Sequence, residues 1–223
     1  MFHGKNSQLV LDVMRQVGGP QPSLATLYDE SRFHNNGTFV NHTNWVQLPT
    51  GAWVNTFDGD DSILLGQPTS LNLGVDSFTI EAWVNPVAIG GTDNVIVGRQ
   101  INAGNFLRFF HRGGGSLSLH CQVGAVDQIN ILFGCLKAGI YQYVVFTRQG
   151  INSELFRNGI SVATSAAGTG GNINIAANWY IGTDGINFWI GKIGRVRIKK
   201  RVLSLGEIRN NFESERRYFP DVQ

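Results

Sequence analysis

SFTIEAWVNP, residues 77–86, alternates without a break from Phe78 to Asn85. Phe78, Ile80, Ala82 and Val84 fall on one side; Thr79, Glu81, Trp83 and Asn85 fall on the other. A period of two is that of a β-strand with one face packed inward. The same period recurs at 9–14, 38–40, 45–48, 52–57, 62–65, 94–100, 105–112, 117–123 and 128–133. It continues at 141–148, 153–157, 160–166, 179–182 and 187–199. Turn-forming residues separate these segments, including three successive glycines at 113–115 that suit a hairpin. The pattern predicts a large all-β protein.

One helix is expected, at 205–215. Ser204 and Glu207 form an S-x-x-E capping box, in which each side chain satisfies a free backbone N–H of the first turn. Leu205, Ile208 and Phe212 make one apolar stripe. No linker or internal repeat interrupts the chain, so a single domain over 1–223, with its core at about 9–213, is expected.

With 42% hydrophobic and 11% aromatic residues, the 223-residue chain can bury a sizeable core. Charged residues make up 15%, against roughly 25% in ordinary soluble domains. The net charge of +2 names no partner. Nine of the 18 basic residues lie between Lys192 and Arg217, with only three acids there, Glu207, Glu213 and Glu215. Arg195, Arg197 and Lys199 share one strand face and are followed by Lys200 and Arg201. This stretch is either a docking surface for an acidic neighbour or a solvated strand face leading into a helix. The first residues, MFHGKNSQLVLDVMRQVGG, contain no continuous apolar run, so no secretory leader is expected. No segment approaches the roughly 18 apolar residues of a membrane span. Cys121 and Cys135 lack metal-ligand spacing and are either reduced thiols near the core or one bridge across adjacent strands.

Four stretches together resemble a known family. YDESRFHNNGTF (28–39) is similar to its D-x-S-G…N-x-G-T turn, and FDGDDSILL (57–65) to its F-D-G-x-x-D-Y-V step. FTIEAWVNP (78–86) resembles its central strand. YQYVVFTRQG, ELFRNGISV and FWIGKIGRVRIKKRVLSLGEIRNNF (188–212) resemble its closing strands and helix. In this order the motifs are those of the laminin-G-like, concanavalin A-like jelly-roll domains. The resemblance implies a two-sheet antiparallel jelly-roll sandwich with one short C-terminal helix. The closing phrase LSLGEIRNNFESERRYF (203–219) is similar to stand-alone domains of this type in tailed-phage virion proteins. That implies a non-enzymatic virion protein, made in the host cytoplasm and bound to a capsid or neighbouring virion protein through Arg195, Arg197, Lys199, Lys200 and Arg201, with homo-oligomers possible. The alternative is a carbohydrate-binding module that recognises a cell-surface glycan.

Glycoside hydrolysis needs two carboxylates flanking the sugar, and on one strand such a pair sits at alternate positions. Glu81 stands alone on its strand, either as a binding residue or as a structural one met by hydroxyls or an arginine. No zinc, nucleotide or nucleic-acid motif is present. Calcium is the metal best served, because it takes oxygen ligands from carboxylates, amides and carbonyls. Asp29, Asn35 and Asn36 in one turn, with Asp58, Asp60 and Asp61 in another, are the candidate ligands. The resemblance implies such an ion at the first turn, but Arg32 replaces the motif's glycine, so a plain turn is the other reading. For a glycan, Trp83, Trp189 and Asp184 are the candidate contacts, tryptophan rings stacking on pyranose faces and the acid gripping hydroxyls.

Overall fold

The computed structural model describes residues 7–12, 25–41, 44–91 and 93–222. The expected strand end at 13–14 and the turn at 18–23 lie outside them. The strands are β1 (Leu9–Asp12), β2 (Thr26–Leu27), β3 (Gly37–Val40), β4 (Asn44–Gln47), β5 (Trp53–Asp58), β6 (Ser62–Gly66), β7 (Phe78–Pro86) and β8 (Asn94–Asn102). They continue as β9 (Asn105–Arg112), β10 (Ser116–Val123), β11 (Val126–Gly134), β12 (Gln142–Gln149), β13 (Asn152–Arg157), β14 (Ile160–Ser165), β15 (Trp179–Ile181) and β16 (Ile190–Lys199). The helix α1 spans Leu205–Glu215.

Two eight-stranded antiparallel sheets form a sandwich. Sheet A runs β14-β13-β12-β7-β16-β5-β4, with β1 paired to β16. Sheet B runs β11-β10-β9-β8-β15-β6-β3-β2. The apolar half of the 77–86 alternation does what its period predicts. Ile80 sits opposite Ile198 on one neighbour and Phe146 on the other, facing the inter-sheet core with Leu107, Phe109, Leu119 and Trp179. The hairpin between β9 and β10 turns on Gly114 and Gly115 at φ of 78° and 75°, values that L side chains rarely adopt.

The other half of β7 departs from the expectation of a solvated face. Thr79, Glu81 and Trp83 are also buried, because α1 and the segment after it lie across the outer face of sheet A. A second core forms there from Val54, Trp83, Tyr143, Val145, Phe156, Ile208, Phe212 and Phe219. The helix begins at the expected cap: Ser204 N–H donates to Glu207 Oε2 at 2.9 Å, and Glu207 N–H to Ser204 Oγ at 3.3 Å. Thr26–Leu27, for which the sequence predicts no strand, adds an edge strand to sheet B. Both cysteines are free thiols, Cys121 buried and Cys135 half-buried. Burial pushes the Cys121 thiol up to about 12, so it is inert.

Candidate functional site

With α1 on sheet A, the open broad surface of the sandwich is the outer face of sheet B. Strand register lays one row of side chains across it. Thr38 pairs with Leu64, Leu64 with Tyr180, Tyr180 with Gly98, Gly98 with Arg108, Arg108 with His120, and His120 with Asn130. Registered partners share a face, so these residues line up on the outside. Gln100, Phe106, Gln122 and Asp127 form the adjacent row.

Arg108, His120, Gln122 and Asn130 are each held by neighbouring carboxylates. Arg108 is ion-paired to Asp93 at 2.9 Å and to Asp184 at 2.9 Å, and it donates to Gln100 Oε1 at 2.7 Å. Its guanidinium lies 4.2 Å above the Phe106 ring, a cation–π contact that flattens it against the sheet. Asp184 is fully buried, accepting at Oδ1 from the backbone N–H groups of Ile186 and Asn187 at 3.0 and 2.9 Å. The loop bearing it can press this close because residue 98 is glycine. A Cβ there would stand 2.9 Å from the Asp184 Cβ and 3.0 Å from the Leu107 carbonyl. His120 Nε2 and Gln122 Nε2 both reach Asp127 Oδ1, at 2.8 and 2.7 Å, and Asn130 Nδ2 donates to Oδ2 at 3.0 Å. Those bonds, led by the one from His120, hold the Asp127 carboxyl at about 2. Burial raises the Asp93 carboxyl, but Arg112 and Arg108 outweigh it and leave the group below its usual range.

The result is a flat, braced array of guanidinium, imidazole, amide and carboxylate groups beside one half-exposed aromatic, Tyr180. Such groups offer paired donors and acceptors at fixed spacing. That is how vicinal hydroxyls are gripped, and a tyrosine ring supplies an apolar patch with a wet edge.

The residues expected from the sequence fall elsewhere or act differently. Trp83 and Trp189 are fully buried and offer no face to a sugar. Trp83 is stacked between Phe219, at 4.2 Å and 14°, and Phe212, at 5.8 Å and 19°. Asp184 belongs to the face, but as the buried ion-pair partner of Arg108. The basic stretch is not a surface. Arg195, Arg197 and Lys199 are 5%, 1% and 5% exposed and point under α1 into a network with Glu81 and Glu215. Lys200 stays partly exposed, 3.9 Å from Asp76, and Arg201 is paired with Glu207 at 2.6 Å. Glu81 takes the structural role: Arg197, Lys199, Tyr143 and Asn211 all converge on its carboxylate.

The calcium set does not assemble as expected. Asp29 Oδ1 accepts from Val10 and Ser31 N–H groups, both at 2.8 Å; its Oδ2 accepts from Ser31 Oγ at 2.7 Å and Asn35 N–H at 2.8 Å. A carboxylate has about four acceptor positions, so none is left for a cation. Asn36 Oδ1 accepts from the Asp29 N–H and Asn35 Oδ1 from Ser70. This first turn is knitted by hydrogen bonds and does not fit a metal. Asp58, Asp60 and Asp61 do come together, with ligand atoms within 4.8 Å of one another. Two of those carboxylates already cap backbone N–H groups of their own turn.

The laminin-G-type model of the concanavalin A-like lectin/glucanases superfamily matches residues 57–209, well over half of the chain. The chain belongs to this superfamily. Among curated protein sequences none matches it. Solved structures similar to this concanavalin A-like chain include the binding domain of Paraclostridial Mosquitocidal Protein 1, at 17% identity and a TM-score of 0.69 over 94% of this chain and 52% of that one. The receptor binding domain of botulinum neurotoxin C/D mosaic serotype is similar at 12% identity and a TM-score of 0.69, over 94% and 51%. This chain therefore spans about half the length of those toxin domains. Domain 4 of AbnA, an extracellular GH43 arabinanase from Geobacillus stearothermophilus, was solved with arabinotriose. It is similar at 12% identity and a TM-score of 0.67, over 93% and 98%. At these identities the likeness is one of fold.

Proposed function

We propose that this superfamily member is a non-enzymatic carbohydrate-binding module whose ligand lies across the outer face of sheet B. The observation that carries the reading is the registered row from Tyr180 through Arg108 and His120 to Asn130, held by neighbouring carboxylates on the face that the helix leaves uncovered. The resemblance to a domain solved with arabinotriose supports the ligand class. A hydrolytic role finds no support in the two carboxylates nearest each other in the sheet A network. Glu81 and Glu215 are 1% and 3% exposed and locked to Arg197. The burial of Arg195, Arg197 and Lys199 takes three of the five basic residues expected to anchor a capsid-bound role out of reach of a partner.

The test is a panel of immobilised glycans probed with the wild-type chain, Arg108→Ala and Asp127→Asn. Each substitution removes charged hydrogen bonds worth about 1.5–3 kcal/mol apiece, so affinity for the captured glycan falls about tenfold or more. Unchanged capture by both folded variants would place the ligand elsewhere.

A further inference from the structure

Strand β11 is the outer edge of sheet B, and its two halves are finished differently. Over the first half the backbone is covered. The Asp127 and Gln128 carbonyls accept from the N–H groups of Thr169 and Gly170 at 2.9 and 3.1 Å, and the Asn130 carbonyl accepts from Ser165 Oγ at 3.0 Å. That last bond fixes the direction of the strand's polar groups. Asn130 faces away from β10, so in the antiparallel ladder Leu132 and Gly134 also turn their N–H and C=O groups outward. Among the described residues no hydrogen bond reaches those of Leu132 and Gly134. Residues 131–134, ILFG, carry no charge and no proline. Native edges are ordinarily blunted by charge, proline or a covering loop, and this stretch has none of the three. Leu132 and Phe133 are 52% and 43% exposed.

A pocket of about 330 Å³ opens beside this bare end. Phe133 and Leu136 wall it on one side, and Val162 of β14, the edge strand of sheet A, on the other. Phe133 shares a face with Ile129 and Ile131 of the inter-sheet core, so the pocket is the mouth of the gap between the sheets. Its charged lining residues are Lys137 and Arg157, and no acid lines it among the described residues. Arg157 gives one N–H to the Cys135 carbonyl, out of the five that a guanidinium carries. A strand added along Leu132–Gly134 would run past this mouth. Its side chains would alternate between the pocket side, beside Phe133, and the outer side, beside Leu132. The bare edge suits an extended backbone, the walls suit an apolar side chain, and the two cations suit a carboxylate. A second copy of this chain is a poorer match. Two copies joined edge to edge here would bring four cations together, and the strand's one acid, Asp127, is already held by His120, Gln122 and Asn130.

We propose that the bare end of β11 and the pocket beside it form a docking site for an extended peptide segment of a partner protein, bound as an added strand with an apolar residue in the pocket and a carboxylate at Arg157 and Lys137. The test is an amide NMR titration of the full chain with three peptides: acetyl-TVTVD-amide, acetyl-TVTVK-amide, and the aspartate peptide methylated at every backbone nitrogen. The aspartate peptide is expected to shift the amides of Phe133, Gly134 and Val162 saturably. The lysine peptide binds about tenfold or more weaker, and the methylated one, which has lost its main-chain donors, moves nothing. Leu132→Pro removes an outward N–H and no bond to β10, a place where an edge strand tolerates proline, and weakens binding about tenfold or more. Arg157→Glu inverts the order of the aspartate and lysine peptides. The proposal is overturned if the aspartate peptide leaves these amides unmoved, if the lysine or methylated peptide binds as well, or if natively folded Leu132→Pro responds like wild type. A dimer in sedimentation that Leu132→Pro breaks and the aspartate peptide does not would assign the edge to a second copy and overturn it too.

Discussion

The Trp83 indole N–H donates to Glu215 Oε2 at 2.7 Å, tying the central strand of sheet A to the last turn of the terminal helix. Glu215 also takes Arg195 at 2.6 Å and pairs with Arg197, and Arg197 in turn holds Glu81 at 2.9 Å. The helix is therefore bolted to the sheet by a chain of buried charges, each one compensated. Removing a single partner strands the others, which costs about 3–5 kcal/mol. Glu215→Gln leaves two arginines short of charge and is expected to lower the melting temperature by about 10 °C, at 2–4 °C per kcal/mol for a chain of this size. Thermal unfolding followed by circular dichroism checks this.

Around the same bolt, aromatic packing closes the outer face. Phe219 stacks on Trp83, and Gly194 sits against it. A Cβ at residue 194 would stand 2.7 Å from the Phe219 Cε1. Gly194→Ala is expected to displace Phe219 and loosen the tail. Phe219→Ala removes the ring outright, at a cost of about 3–5 kcal/mol. Both substitutions shift tryptophan emission to the red by wetting Trp83; an unshifted spectrum would mean that the tail is not its cover.

Acid acts in two separate windows. His111 is fully buried, its ring edge-on to Trp189 at 5.2 Å, with neither ring nitrogen hydrogen-bonded. Desolvation depresses its pKa below 6.5, against weaker raising effects of the Arg112 backbone and of Asp93. The unfolded state then takes up the proton first, so stability falls as pH drops below about 6.5. Glu81 behaves in the later window. Burial raises its carboxyl, but Arg197 and Lys199 outweigh that and hold it at about 2, against 4.5 unfolded. Its contribution is complete above 4.5 and is lost as pH falls from there towards 2. Denaturant midpoints measured from pH 8 to 3 should decline in these two steps, and His111→Phe should remove the first.

The long connection from β14 to β15 is held by two arginines rather than by strand pairing. Arg148 donates to the carbonyls of Gly74, Gly150, Gly170 and Gly171, and Arg99 to those of Ile173 and Ile175 at 2.8 and 3.0 Å. Buried carbonyls left unpaired cost about 1–3 kcal/mol each. Arg148→Met is expected to open residues 167–177 to limited proteolysis while the rest of the sandwich resists. Cleavage elsewhere first would contradict this account.

The legible and illegible parts divide along one physical line. Period two exposes which residues of a strand share a face, and Phe78, Ile80, Ala82 and Val84 were placed correctly by it. Ser204 with Glu207 gave the helix its start for an equally local reason. What period two cannot say is whether the second face meets water, because that depends on where a distant element docks. Arg195, Arg197 and Lys199 read as a solvated or docking face for that reason, yet α1 lies on them. A signal was present. Trp83, Tyr143, Val145 and Phe156 are large and apolar on the same outward side, which an open face would not tolerate. The sheet B row was missed because it needs the register of five strands, and no single segment shows Tyr180, Arg108, His120 and Asn130 side by side. Asp29 resembled a cation ligand because turn-capping and metal binding use the same oxygens, and only the donors around it tell them apart.

The central claim is that the open face of sheet B holds a carbohydrate. Its most direct test is an amide and side-chain NMR titration of the intact chain with the glycan captured most strongly from the panel. The account predicts saturable shifts at Tyr180, Arg108, His120, Gln122 and Asp127. It also predicts that Arg108→Ala weakens the binding they report about tenfold or more without changing the fold. Saturable binding that leaves all five residues unmoved would contradict it.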